Sequence, residues 1–405
     1  MLLQTLFVVL LAFALLGDAR IFLFVLNRIV FGSHKEEKSP WGWLLWTTPF
    51  VLLVLTALFW PLHRWIDWMA RTDVVSRLTP EVIERVNWDQ ALGRIGLAWL
   101  LIAAGVGVYW IVDTIRRRMK HEQPLQGVRT SPGEVIRIRR AHVPFAWLRK
   151  LGAHNDVYDI EITKHDVYID DLPDAFDGYR IAFLTDTHVA GFVRRRYYEE
   201  VVAQTNGIDP DLILLGGDFV SFHRHIPLMA DALIARLSAR DGMFAVLGNH
   251  DYWAGGKDVR EAMEAHGVQF IINRSVVLRR GEAELPLVGI DEVYRGAPDL
   301  QAAFAGLRWG PRLGLTHHPD LVGDLGERRI DLLVCGHTHG GQIRFPFFGA
   351  VVVPSKYEFR FAAGFHRVNN VLMYVSRGIG AIPPLRILCR PEIATFTLRQ
   401  GGRTK

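Results

Sequence analysis

The chain has 405 residues, 50% of them hydrophobic and 22% charged, with a formal net charge of +5 and two cysteines. This length accommodates a hydrophobic module plus one domain of about 240 residues with a sizeable core, and two cysteines exclude a disulfide framework. No nucleic-acid-binding module, internal repeat or mark of a protein partner is visible.

The N-terminal third is apolar. "MLLQTLFVVLLAFALL" at 1–16 continues after "GDAR" with "IFLFVLNRIVF", either a first spanning helix or a kinked hydrophobic entry. A signal peptide is the competing reading, but no basic segment precedes the run and no small-residue cleavage site follows, which favours a retained helix. Residues 41–60 form an uncharged run of 20, the length that crosses a bilayer as a helix. Residues 95–112 form another. Trp41, Trp43, Trp60, Trp65 and Trp68 cluster at the ends of the 41–60 run, as interfacial anchors do. The expectation is an all-α transmembrane module over 1–120 with about three spans. With an external N-terminus, eight basic residues face inside, Arg28 and Arg116 among them, and five face outside, Arg64 and Arg94 among them. That bias puts the following domain on the cytoplasmic side of an inner or plasma membrane. The "RRRMK" run at 116–120 reads as a stop-transfer flank or, more strongly, as an attraction to anionic lipid.

Residues 121–155 read as a juxtamembrane linker, because Pro124, Pro132 and Gly133 break any long helix. "VYDIEITKHDVYI" at 157–169 alternates with period two and predicts an edge strand opening a domain over 156–400. Apolar runs of strand type then end one after another in polar residues. "RIAFLTDTH" ends in Asp186 and His188, "DLILLGGD" in Asp218, "MFAVLGNHD" in Asn249, His250 and Asp251, "RLGLTHH" in His317 and His318, and "VCGHTHGG" in His337 and His339. Helices are predicted over "RRYYEEVVAQT" and "PLMADALIARLS". In layered α/β proteins the carboxyl ends of strands are where loops converge on a ligand. Asp186 and Asp218 are 32 residues apart and Asp218 and Asn249 are 31 apart, each about one strand-helix-strand unit. Imidazole and carboxylate in such positions point to metal binding, and alternate residues such as His337 and His339 reach two ions better than one.

Five ordered motifs carry a specific resemblance: Asp186-Thr-His188, Gly217-Asp218, Gly248-Asn249-His250-Asp251, His317 and Gly336-His337-Thr-His339. Together they resemble the calcineurin-like metallophosphoesterases. "GFVRRRYYEEVV", "HTHGGQIRFP", "YVSRGIG" and "RPEIATFTLR" look like the membrane-associated phosphodiesterase branch that includes a UDP-2,3-diacylglucosamine pyrophosphatase. The resemblance spans residues 157–399 and leaves out the N-terminus. It implies an α/β fold, a two-sheet β-sandwich flanked by helices, with two metals between the strand ends. Asp186, His188 and His339 would hold the first ion, and Asn249, His317 and His337 the second. Asp218 would bridge them with one carboxylate oxygen on each. Manganese, iron, zinc or magnesium suit such mixed ligands, manganese being favoured. The implied chemistry is attack on phosphorus by metal-activated hydroxide with no protein nucleophile. His250 would stabilise the transition state or protonate the leaving group, and Asp251 would orient His250 or close the turn.

Several other residues invite a role. Arg194, Arg195 and Arg196 open an amphipathic helix and read as a solvated face before a phosphate contact. His223 and His225 read as loop histidines or as substrate-facing groups, and His318 should point away from its neighbour His317. Arg377 and Gly378 are expected at the rim of the site. Cys335 and Cys389 read as core thiols, compatible with a reducing compartment. After Gly217-Asp218 the chain reads "FVSFHR" and lacks the Asp-Arg pair of the protein Ser/Thr phosphatases, which disfavours a phosphoprotein substrate. The apolar "IRFPFFGAVVV" is consistent with a phosphorylated lipid or lipid-sugar substrate, such as UDP-2,3-diacylglucosamine, whose chains stay in the bilayer. Phe345, Phe347 and Phe348 read equally as sandwich core. The alternatives are a phosphodiesterase for soluble nucleotides and a non-catalytic membrane sensor, and the complete ligand set argues against the sensor.

Overall fold

Short apolar strands, several of them buried on both faces, build two sheets that share a core. In the computed structural model the described residues are 17, 98, 101–109, 111–112, 125–138, 154–190, 193–346, 349–350 and 352–401. The chain divides into two units, 1–123 and 124–405. In the first, residues 101–109 are helical, inside the third apolar run. The runs at 1–16 and 41–60 lie outside the described residues, and among those described no helix is long and apolar enough to cross a membrane.

The second unit begins with strands β1 (Val128–Arg137), β2 (Asp159–Ile169) and β3 (Arg180–Leu184). Helix α1 (Arg195–Gly207), strand β4 (Leu212–Leu215), helix α2 (Ile226–Ala232), strand β5 (Met243–Ala245), helix α3 (Asn249–Glu264) and strand β6 (Val268–Phe270) follow. Next come β7 (Arg274–Arg280), β8 (Ala283–Gly289), the short helix α4 (Leu300–Ala303), β9 (Leu313–Leu315) and β10 (Leu332–Cys335). The chain ends through β11 (Arg344–Phe345), β12 (Gly349–Ala350), β13 (Gly364–Val368), β14 (Val371–Val375) and β15 (Glu392–Gln400). One sheet has the order β1-β2-β15-β3-β4-β5-β6, the other β13-β14-β10-β9-β8-β7, and β11 and β12 pair apart. Both large sheets mix parallel and antiparallel neighbours.

Strand alternation assigns each side chain to a layer. Ile181 and Phe183 of β3 and Leu212 and Leu214 of β4 join Leu287, Leu315, Val334 and Phe396 in the core between the sheets. Ala182, Leu184, Ile213 and Leu215, one position out of phase, pack with Tyr197, Val201, Met229 and Val259 of the helices. Both faces of β3 and β4 are therefore buried, which is why these strands are apolar without interruption. Truncating fully buried Phe183 to alanine would cost about 3–5 kcal/mol. The expected mixed-sheet sandwich with flanking helices is the fold of this unit.

Two expectations are corrected. The segment read as linker carries β1, which pairs antiparallel with β2. The strand predicted at 157–169 is consequently interior, held between β1 and β15. Pro132 and Gly133 do not end β1, because they occupy the register shift between Ser131 and Glu134, a bulge that an edge strand tolerates.

Candidate metal centre

The donors are placed by backbone pairing that continues past the strand ends. Beyond β3 and β4, Asp186 N donates to Gly217 O at 2.9 Å, His188 N to Asp218 O at 3.0 Å and Val189 N to Phe219 O at 2.9 Å. The first two motif loops are thereby zipped in fixed register. Gly336 N donates to His317 O at 2.9 Å, which joins the last two. His337 N reaches both Asp186 oxygens at 3.0 Å and so ties the second sheet's loop to the first's. Two motif glycines leave room for carboxylates. A Cβ on Gly248 would collide with the Asp218 side chain, and one on Gly336 with that of Asp186.

Among the described residues the motif donors form three groups, of which His188, Asp218 and His250 make one that overlaps the other two. Asp186, His188 and His339 bring one atom each within 4.8 Å of one another, as do Asp218, His317 and His337. In the first group the Nε2 atoms of His188 and His339 are 2.9 Å apart, and His339 Nε2 is 3.5 Å from Asp186 Oδ1. In the second, His317 Nε2 is 3.1 Å from His337 Nδ1. Asp218 Oδ2 lies 3.5 Å from His188 Nε2 and 3.4 Å from His317 Nε2, between the two groups. Its other oxygen accepts the His250 N–H at 2.8 Å. One Asp218 oxygen thus faces both groups, and the other fixes the turn that bears His250.

The surroundings orient these donors. His317 Nδ1 donates to Gly216 O at 2.8 Å, which aims Nε2 into the group, where a proton or a cation can occupy it. His188 Nδ1 is 3.1 Å from Ser221 Oγ, a contact in which either atom can donate, and it holds the ring with Nε2 toward His339. Asn249 Oδ1 is buried without a hydrogen-bond partner, an expensive state for an amide oxygen unless a cation approaches it. Oxygen and imidazole donors converging this way fit two divalent ions. Burial opposes ionisation of Asp218, yet His317, His250 and His188 outweigh it and hold its carboxyl well below the usual range. Burial likewise opposes a charge on His317, but Asp218 prevails and pushes it up to about 10. Burial, with Asp218 adding to it, raises Asp186 to about 7. Protons and cations compete for these atoms.

His250 is packed edge-on between the rings of His188, 4.7 Å away, and Trp253, 4.6 Å away, at the N-terminus of α3. Asp251 is fully buried and accepts the N–H groups of Gly248 at 3.0 Å, Phe219 at 2.8 Å and Val220 at 3.2 Å. Of its two expected roles, that bonding pattern is the one that closes the turn.

The remaining candidates divide. Arg194, Arg195 and Arg196 are exposed, and Arg195 pairs with Glu199 and Asp231, a solvated face. His223 pairs with Asp258 in solvent, and His225 packs on Phe222. His318 Nδ1 accepts the Asp320 N–H while its ring lies 3.9 Å from that of His337, behind the donor. Arg377 is not a rim residue: it is mostly buried and bridges Glu161 and Glu392 at 2.9 Å each. Cys335 and Cys389 are buried free thiols. Phe345 is 56% exposed, so it is not core, and Phe347 and Phe348 lie outside the described residues. Glu292 was not anticipated. It is fully buried, gives Oε2 to the N–H groups of Tyr294 and Arg295, and keeps Oε1 without a partner. Its one sequence signal is that "VGIDE" ends the β8 run as the motif residues end theirs.

Comparison with known proteins agrees with this geometry. The profile of the calcineurin-like phosphoesterase family matches residues 179–341. Phosphodiesterase YaeI of Escherichia coli (strain K12) is 33% identical over 225 residues, 54% of this chain and 82% of that protein. The uncharacterized metallophosphoesterase YkuE of Bacillus subtilis (strain 168) is 30% identical over 250 residues, 59% of this chain and 86% of that one. A transmembrane protein with a metallophosphoesterase domain from Danio rerio is 29% identical over 263 residues, covering 60% of this chain and 57% of its own length. With the bacterial relatives spanned over most of their length, the chain belongs to the calcineurin-like phosphoesterases, metal-dependent hydrolases of phosphoric esters.

Proposed function

We propose that the protein is a membrane-anchored dimetal phosphohydrolase that cleaves a phosphodiester or pyrophosphate bond in a lipid or lipid-sugar substrate. The observation that carries the reading is Asp218 Oδ2, which lies within 3.5 Å of a histidine nitrogen from each donor group. In this reading Asp186, His188 and His339 would hold one ion, Asn249, His317 and His337 would hold the other, and Asp218 would serve both. Two divalent ions, manganese first among manganese, iron, zinc and magnesium, would polarise the phosphoryl group and generate hydroxide at neutral pH. His250, whose N–H is anchored on Asp218 Oδ1, donates a proton to the leaving oxygen. Asp251 keeps the His250 turn in place without touching the reacting atoms.

Support for the membrane comes from the uncharged runs at 41–60 and 95–112 and from relatives in Danio rerio and Bos taurus named as transmembrane proteins. In this arrangement residues 1–120 are the membrane module and the hydrolase domain faces the cytoplasm. Support for an apolar substrate comes from Phe345, which exposes its ring on the strand that follows His339. The deciding assay uses detergent-purified chain, stripped of metal and resupplied with manganese, on UDP-2,3-diacylglucosamine beside bis-p-nitrophenyl phosphate, with Asp218→Asn as control. Manganese-dependent release of UMP, lost in the variant, is the expected result. Turnover of the generic diester alone would retain the phosphodiesterase and remove the lipid-sugar substrate.

A further inference from the structure

Arg386 is the largest fully buried side chain among the described residues, and it lies outside every motif discussed above. Among those residues its hydrogen bonds go to backbone carbonyls and to the Cys389 thiol, none to a carboxylate. Nε reaches Gly380 O at 3.2 Å, and Nη2 reaches Arg377 O at 2.8 Å, Gly378 O at 3.2 Å and also Gly380 O. Nη1 reaches His339 O at 3.5 Å and Cys389 O at 3.4 Å, with Cys389 Sγ at 3.8 Å. A buried guanidinium without a counter-charge is costly, so its retention calls for a reason at the place where its donors converge.

That place is the backing of one donor group. The 377–380 loop gripped by Arg386 lies directly under Asp186: Ile379 N donates to Thr185 O at 3.1 Å and Gly380 N to Asp186 O at 2.6 Å. A Cβ on Gly378 would fall 2.7 Å from that of Asp186. Of the two further carbonyls that Arg386 Nη1 reaches, one belongs to His339, and Cys389 Sγ reaches the same carbonyl at 3.2 Å. One planar fork thus joins the supports of Asp186 and His339, two of the three donors of the first group. Asp218, His317 and His337 have no hydrogen bond to it among the described residues.

Resting on the dimetal reading above, we infer that Arg386 is a positioning residue for the first metal pocket, setting its geometry and affinity separately from those of the second. The fork matters as much as the charge, because carbonyls on three segments are satisfied at once and only a guanidinium spans them.

The test measures binding of Mn²⁺ alone to the full chain in detergent by titration calorimetry, in two backgrounds. His337→Ala leaves the first pocket intact, and His339→Ala leaves the second. Arg386→Met is expected to weaken Mn²⁺ binding by about 10–100-fold in the His337→Ala background and to leave the His339→Ala background unchanged. Arg386→Lys, which keeps the charge but not the fork, should weaken the first pocket in the same selective way, and it decides the matter if Arg386→Met does not fold. Equal weakening in both backgrounds would make Arg386 a general stabiliser and overturn the inference, as would no weakening in either. An unsubstituted chain that binds fewer than two ions would remove the dimetal reading itself, and this inference with it.

Discussion

The Nε2 atoms of His188 and His339 stand 2.9 Å apart in a buried site, with Asp186 Oδ1 3.5 Å from the second of them. Two neutral imidazoles hold this arrangement through a proton or a cation between them. A ligand that binds the native state at about 100 times its dissociation constant adds about 2.7 kcal/mol of stability. Chelation is therefore expected to lower the thermal midpoint of the hydrolase domain, and Mn²⁺ to restore it. Asp218→Asn should show a smaller response to both, since its lost charge faces both groups. A midpoint indifferent to chelator would count against bound metal.

His250 is held by its own N–H on Asp218 and by its ring between His188 and Trp253. His250→Ala is expected to retain two ions by elemental analysis and to lose about 10²–10⁴-fold in kcat. The loss should be larger for an alkyl diester than for bis-p-nitrophenyl phosphate, whose leaving group needs little protonation. Equal losses on the two substrates would remove the proton-donor role.

Asp251 holds three backbone N–H groups on two loops. Asp251→Asn retains the size but loses an acceptor, at a cost of about 1–3 kcal/mol. Activity is expected to fall together with metal content and thermal midpoint. A fall in kcat at full metal content and unchanged midpoint would instead make Asp251 an orienter of His250.

His165, buried on β2, lies 3.0 Å from Thr130 Oγ1 and 3.3 Å from the Tyr374 hydroxyl. Burial lowers its pKa to about 4, with Glu392 opposing and Arg377 assisting. The unfolded chain, titrating near 6.5, binds the extra proton first, so this contribution to stability is complete above about pH 6.5 and declines as pH falls toward 4. Between pH 7.5 and 5 the loss amounts to about 2 kcal/mol. His165→Gln should flatten that part of the pH dependence of unfolding, and a variant with the original slope would assign the acid sensitivity elsewhere.

The donor positions were legible because each closes an apolar run, and a strand buried on both faces has little else to vary. Asp186, Asp218, Asn249, His317 and His337 all lie just past such strands. β1 was not legible, because Pro132 and Gly133 carry the same signal in a bulge as in a linker. Asp251 could not be assigned from its motif, since orienting a histidine and capping a turn both need a carboxylate there. Glu292 and Arg386 were invisible for another reason. Their surroundings are made by segments distant in the chain, such as Arg386 with the His339 carbonyl, and no local spacing encodes that.

Asp186, His188, Asp218, His337 and His339 all have left-handed backbone, with φ between 41° and 68°. Each such residue carries a conformational cost of about 1–3 kcal/mol that glycine would relieve, although aspartate and histidine tolerate it better than most. Glycine at any of the five would relieve that backbone cost and remove a donor at the same time. At Asp186 and Asp218 that relief is opposed, because the His337 and His250 N–H groups would lose their acceptors. Backbone strain in this unit thus falls on the residues that supply the donors, where a side chain and not a glycine is what the site requires.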